Sequence, residues 1–100
     1  MAEVIWTEPA LSDLNDIAEY IALENMVAAK LLVQSAFDKV ERLELFPESG
    51  RIPPELEHLS YREVVASPCR IFYKQELDKV YILYVMREER DLRKFLLNRQ

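Results

Sequence analysis

A chain of 100 residues, half of them hydrophobic and 31% charged, has a globular composition and the length for one buried core, so a single domain over residues 1–100 is expected. One glycine excludes glycine-rich phosphate loops, and one cysteine, Cys69, leaves neither an internal disulfide nor a zinc cluster, which points to a reducing cytoplasm. The net charge of −5 divides into −7 over residues 1–50 and +2 over residues 51–100, which excludes a general polyanion binder.

Val4-Ile5-Trp6 reads as a short strand that ends at Thr7. Thr7 is an N-cap candidate, with Glu8 and Pro9 suited to a first helical turn. Leu11, Leu14, Ile17, Ala18 and Ile21 then follow at helical spacing, with Asp13, Asp16 and Glu19 on the other side, so residues 8–24 are a predicted helix. Asn25 breaks it. A second helix is predicted over residues 26–46, with Ala29, Leu32, Val33, Ala36, Val40 and Leu43 on one face and Pro47 as its stop. The short connection makes the pair an antiparallel hairpin.

Residues 47–51 form the main turn and hold the only glycine, Gly50, while Pro53-Pro54 keeps the next stretch extended or irregular. Strands are predicted over residues 61–66, 69–74 and 79–86, separated by Ser67-Pro68 and by a polar turn at residues 75–78. Residues 88–97 return to helical spacing through Leu92, Phe95 and Leu96. The order β-α-α-β-β-β-α describes an α+β domain, with a helical hairpin on a small, mainly antiparallel sheet. On simple alternation Val80, Ile82, Tyr84 and Met86 point one way along the last strand, and Tyr81, Leu83 and Val85 the other. Both faces are apolar and need cover. The hairpin supplies one cover; the C-terminal helix or a partner chain must supply the second.

No run approaches the ~18 apolar residues of a membrane span, and Met1-Ala2-Glu3 does not read as a signal peptide. No metal-ligand set and no Ser-His-Asp or Cys-His arrangement is present, and His58, the sole histidine, reads as a surface residue. Two places carry usable charge. Arg70 lies on the face opposite Ile71 in an apolar strand, where its donor fork suits a phosphate or carboxylate, or equally an ion pair with Glu63 on the neighbouring strand. Arg87, Arg90 and Lys94 share one face of the last helix if it starts near Arg87, although Glu88, Glu89 and Asp91 dilute their field.

Several segments taken in order resemble the RelE/ParE superfamily of bacterial toxins. They are Val4-Ile5-Trp6-Thr7, then Ala10, Leu14, Ile17, Tyr20 and Ile21, then Leu43, Pro47 and Gly50-Arg51. Tyr61-Arg62-Glu63, Arg70-Ile71-Phe72-Tyr73, and residues 80–85 with Arg87 and Arg90 behind them complete the set. The resemblance implies a toxin neutralised by a co-expressed antitoxin whose C-terminal segment wraps it, with no cofactor and no metal. Members of the superfamily either cleave messenger RNA on the ribosome, as RelE does, or poison DNA gyrase, as ParE does.

Arg70 matches the family arginine of its strand, but Glu88 stands where RelE has its second catalytic arginine, and Arg87 and Arg90 only bracket that place. No tyrosine or histidine follows Tyr84. The acidic hairpin and the Gly50-Arg51 turn look more like the ParE branch. The resemblance therefore implies a gyrase inhibitor, of the plasmid-stabilising kind, that traps the cleavage complex without catalysis. It would contact gyrase or antitoxin through Arg70, Arg87, Arg90, Lys94 and Arg51. Sequence-specific nucleic-acid binding is not expected, and a homodimer within the toxin–antitoxin assembly is compatible. The alternatives are an mRNA endonuclease using Arg70 and Arg87, and an inactive relic that only binds antitoxin.

Overall fold

The computed structural model describes residues 1–89 and Leu97. The expected helix over residues 88–97, with Leu92, Phe95, Leu96, Arg90 and Lys94, lies almost wholly outside the described residues. The rest follows the expected order: β1 (Glu3–Trp6), α1 (Glu8–Ala22), α2 (Met26–Glu41), β2 (Tyr61–Ala66), β3 (Cys69–Glu76) and β4 (Lys79–Arg87).

Local chemistry sets most of these boundaries. Thr7 caps α1 by accepting from the Ala10 amide at 3.4 Å, and its hydroxyl donates to the Ile82 carbonyl at 2.6 Å, tying the helix start to β4. Asn25 caps α2 through the Ala28 amide at 2.9 Å. Both helices end earlier than their apolar spacing predicts. The α1 helix stops at Ala22, and α2 at Glu41, where the chain tightens into a 3₁₀ turn, Arg42–Glu44, before Pro47. That turn keeps Leu43 in the core, which is why spacing alone reads through it.

The sheet order is β1-β4-β3-β2, with β1 parallel to β4 and the other pairs antiparallel. The α1–α2 hairpin covers one face. Leu14, Leu32, Ala36, Val40 and Leu43 meet Ile71, Tyr73, Val80, Ile82 and Val85 there. Trp6 and Phe37 close one side of this core, with ring centroids 4.8 Å apart.

Alternation along β4 does not hold. Pairing with β3 runs Phe72↔Tyr84 and then Tyr73↔Ile82, so Leu83 is an extra residue and the phase reverses across it. Val80, Ile82 and Val85 therefore face the helices, while Met86 and Tyr84 join Phe72 on the opposite side. The cover on that opposite side includes a third element: Leu56, from the short 3₁₀ turn Pro54–Leu56, packs on Phe72, Met86 and Tyr84. The polar turn shrinks as well, because β3 continues through Glu76 and leaves a two-residue connection, Leu77-Asp78.

Asp13 departs from its expected solvent side. Beyond Trp6 no β1 residue pairs with β4, and the Val85 amide donates instead to the Asp13 carboxylate at 3.1 Å, leaving Asp13 only 9% exposed. The same helix position thus replaces a missing strand.

Candidate functional site

Arg70 sits in β3, one of the two inner strands of the sheet, on the face turned away from the helices, and is 7% exposed. Its Nε donates to Glu63 Oε1 at 2.9 Å and its Nη2 to Glu63 Oε2 at 2.7 Å. From the other direction Nη1 and Nη2 donate to the two Glu55 oxygens, each at 3.0 Å. The guanidinium lies over the Phe72 ring, 5.0 Å from its centroid. Two carboxylates therefore occupy both prongs of the fork, and the ion-pair reading of Arg70 with Glu63 is the one observed.

The electrostatics agree with the geometry. Hydrogen bonding to Glu63, and then to Glu55, holds Arg70 charged well above the ordinary arginine range. The Arg70 guanidinium pulls the Glu55 carboxyl below its usual range. Glu63 itself is 1% exposed and takes a third contact from Arg51 Nη2 at 3.5 Å, whose own side chain remains largely in solvent. Glu55 carried no sequence signal, since it follows Pro53-Pro54 in a stretch without periodicity.

Arg51 links this network to the turn at Gly50. Its backbone bridges to Glu63, with amide-to-carbonyl distances of 3.0 and 2.8 Å, closing the turn onto the β2 edge. Gly50 is required beside it by close approach. Its amide donates to the Tyr73 hydroxyl at 2.9 Å, and an added Cβ would meet that oxygen at 2.5 Å and the Glu63 carbonyl at 2.7 Å. The Tyr73 hydroxyl in turn donates to the Pro47 carbonyl at 2.8 Å, and burial raises its pKa. Lys39, Arg42 and Arg51 line a cleft of about 370 Å³ against Val64 and Val65.

Arg87 is elsewhere again. It pairs with Cys69, whose side chain lies in the helix-side core, whereas Arg70 pairs with Met86 on the other side. Cross-strand partners share a face, so the two arginines project from opposite faces of the sheet. Arg87 accordingly stands over the Tyr20 ring of α1, at 5.9 Å, with its Nε 2.7 Å from Glu89 Oε1. It borders a cleft of about 580 Å³ with Asp16, Ile17, Tyr20 and Glu89. The site residues thus fall in two places: Arg70 and Arg51, joined through Glu63 with Lys39 and Arg42 beyond Arg51, and Arg87 beside α1.

Cys69 is buried, and desolvation pushes its thiol up to about 11, as befits a core residue. His58 is exposed. Among the described residues no helix is long and apolar enough to cross a membrane, and no group of three His, Cys, Asp or Glu side chains is placed to hold a metal. One further surface was not anticipated from the spacing. Between α1 and α2, on the side away from the sheet, Ala18, Ala22, Met26, Ala29 and Val33 line an open apolar furrow of about 410 Å³.

Residues 4–92 match the family model described as the ParE toxin of the type II toxin–antitoxin system parDE. Toxin RelE2 of Caulobacter vibrioides is 35% identical over 68 residues, which span 68% of this chain and 73% of that protein. A solved structure of the chromosomal ParDE toxin–antitoxin system from P. aeruginosa superposes with a TM-score of 0.75 at 22% identity, over 89% of this chain and 98% of that one.

Proposed function

The chain belongs to the ParE toxin family of type II toxin–antitoxin systems, and from that premise we propose that it arrests growth by trapping DNA gyrase on cleaved DNA, with no reaction catalysed by its own residues. The observation that carries this reading is the separation of Arg70 from Arg87. RNA cleavage by attack of a 2′-hydroxyl requires cationic and proton-transferring groups that converge on one phosphate. Here the two arginines open onto different faces of the sheet, and each has a carboxylate against it. Glu55 and Glu63 also place negative charge where a scissile phosphate would approach Arg70.

The type II family implies an antitoxin partner, and the furrow between α1 and α2 is a seat for its amphipathic helix. Small side chains at Ala18, Ala22 and Ala29 let a helix approach closely. Arg51, exposed, and Arg87, partly exposed, remain contact residues in this reading, whereas Arg70 acts by holding the fold. Action on gyrase and its DNA places the protein in the cytoplasm, in keeping with a single unpaired cysteine.

The test is a plasmid supercoiling assay with purified gyrase, ATP and increasing toxin. Linear DNA after denaturant and protease treatment is the expected product. Unaltered supercoiling by folded protein overturns the gyrase reading and transfers the assignment to ribosome-dependent mRNA cleavage, which the similarity to a toxin named RelE2 favours. Unimpaired growth on expression without antitoxin leaves the relic reading.

A further inference from the structure

The connection between β3 and β4 contradicts its own sequence. Glu76 pairs with Lys79, so Leu77-Asp78 is a two-residue hairpin loop, and Leu77 stands first in it with φ of +57°. Such loops favour glycine or asparagine, because a side chain branched beyond Cβ is strained at positive φ. The same leucine is 95% exposed. A residue that gains nothing by burial and is disfavoured by its backbone has no role in holding this turn. Local rules broken without a compensating contact inside the fold mark a contact outside it.

The surroundings define the kind of contact. The Glu3 amide donates to the Asp78 carbonyl at 2.9 Å and the Ala2 amide to the Glu44 carbonyl at 2.8 Å, which gathers exposed Met1 and Leu45 at the same end of the molecule. Of the adjacent charges, Lys74 pairs with Glu76 at 3.0 Å and Lys79 lies 3.9 Å from Glu3, while Asp78, next to Leu77, makes no ion pair among the described residues. An apolar knob beside an unmatched carboxylate fits a pocket on a protein and repels a phosphate backbone. Position decides between partners. Tyr20 near the end of α1 meets Arg87 at the end of β4, while Leu77 precedes the start of β4, so this tip and the α1–α2 connection lie at opposite ends of the domain. The furrow of the hairpin extends toward that connection, leaving the Leu77 end uncovered when the furrow is filled.

We infer that Leu77 is the anchor by which the toxin docks into an apolar pocket on its protein target, which in the reading above, on which this inference rests, is gyrase. The test compares Leu77→Asn and Leu77→Met with the wild-type chain. Readouts are growth arrest on expression without antitoxin, gyrase inhibition, Tm and sedimentation. Leu77→Asn keeps or raises Tm, since asparagine accepts the positive φ, yet loses at least tenfold in inhibition and no longer arrests growth; Leu77→Met retains both. Arrest by Leu77→Asn as strong as wild type overturns the inference, as does loss of arrest together with a lowered Tm. A dimer that becomes monomeric in Leu77→Asn makes the tip a contact between copies and overturns it too. Growth arrest that depends on Leu77 without any effect on gyrase sinks the gyrase reading and leaves the docking anchor standing. A wild-type chain inert in both assays overturns the two together.

Discussion

Arg70 resembles a family contact residue, yet its guanidinium is paired within the fold. Its fork is filled by Glu63 and Glu55, and Glu63 is buried more completely than the arginine it holds. Arg70→Ala would leave that carboxylate without its main counter-charge, and such a break costs about 3–5 kcal/mol in buried pairs. Urea unfolding should therefore show a large loss for Arg70→Ala. An unchanged midpoint would return Arg70 to the list of contact residues. Glu55 gives the pair a pH signature. Its carboxyl is held low by Arg70, so its contribution is present above the ordinary glutamate range near ~4.3 and is lost as pH falls through the lower folded value. In Glu55→Gln the part of the acid-side decline due to this group should disappear, which a series of unfolding curves between neutral and acid pH would reveal.

The elements themselves were largely legible, and the misses share a cause. Strand β2 begins and ends where its composition changes, at Tyr61 and Ala66, and Thr7 and Asn25 announce both helices. What composition cannot report is a neighbour's requirement. The Leu83 bulge depends on pairing with β3, and so the inward set of β4 switches without any local mark. Asp13 lies among polar residues on α1, yet it is drawn inside because the Val85 amide there lacks a strand. Asp13→Ala should cost about 1–3 kcal/mol by leaving that buried amide without this acceptor. Hydrogen exchange offers the more specific readout, with protection falling first at Val85. Uniform loss across β4 would mean that Asp13 acts through packing alone. For the candidate site the sequence supplied the arginines and the Glu63 pairing, but it could not show that Arg70 and Arg87 face apart, because that follows from the cross-strand register.

At the scale of the whole molecule the surfaces are distributed rather than merged. The helical side offers an apolar furrow, the β2 edge a basic cleft, and the hairpin end an exposed leucine. A toxin so arranged can be bound on the furrow while other faces remain open. Ala22→Trp should fill the furrow, weaken the antitoxin complex by at least tenfold, and leave growth arrest by the free toxin intact. Titration calorimetry with the antitoxin and a growth curve separate these effects. Equal affinity in the variant would locate the antitoxin elsewhere.

The sheet order also governs when this protein comes into being. Val4 leaves the peptidyl-transferase centre long before its strand neighbour Val80, and Thr7 long before Ile82, to which it is tied. Strand β1 therefore waits, unpaired, while the helices and the other strands are still being synthesised. Native contacts so distant in sequence close last and slowly. Until β4 emerges, α1 has neither its sheet to pack on nor the Val85 amide to bind, and Leu77 has no turn to stand on. The helical hairpin and every surface that rests on the completed sheet therefore take their final form only once β4 has been translated.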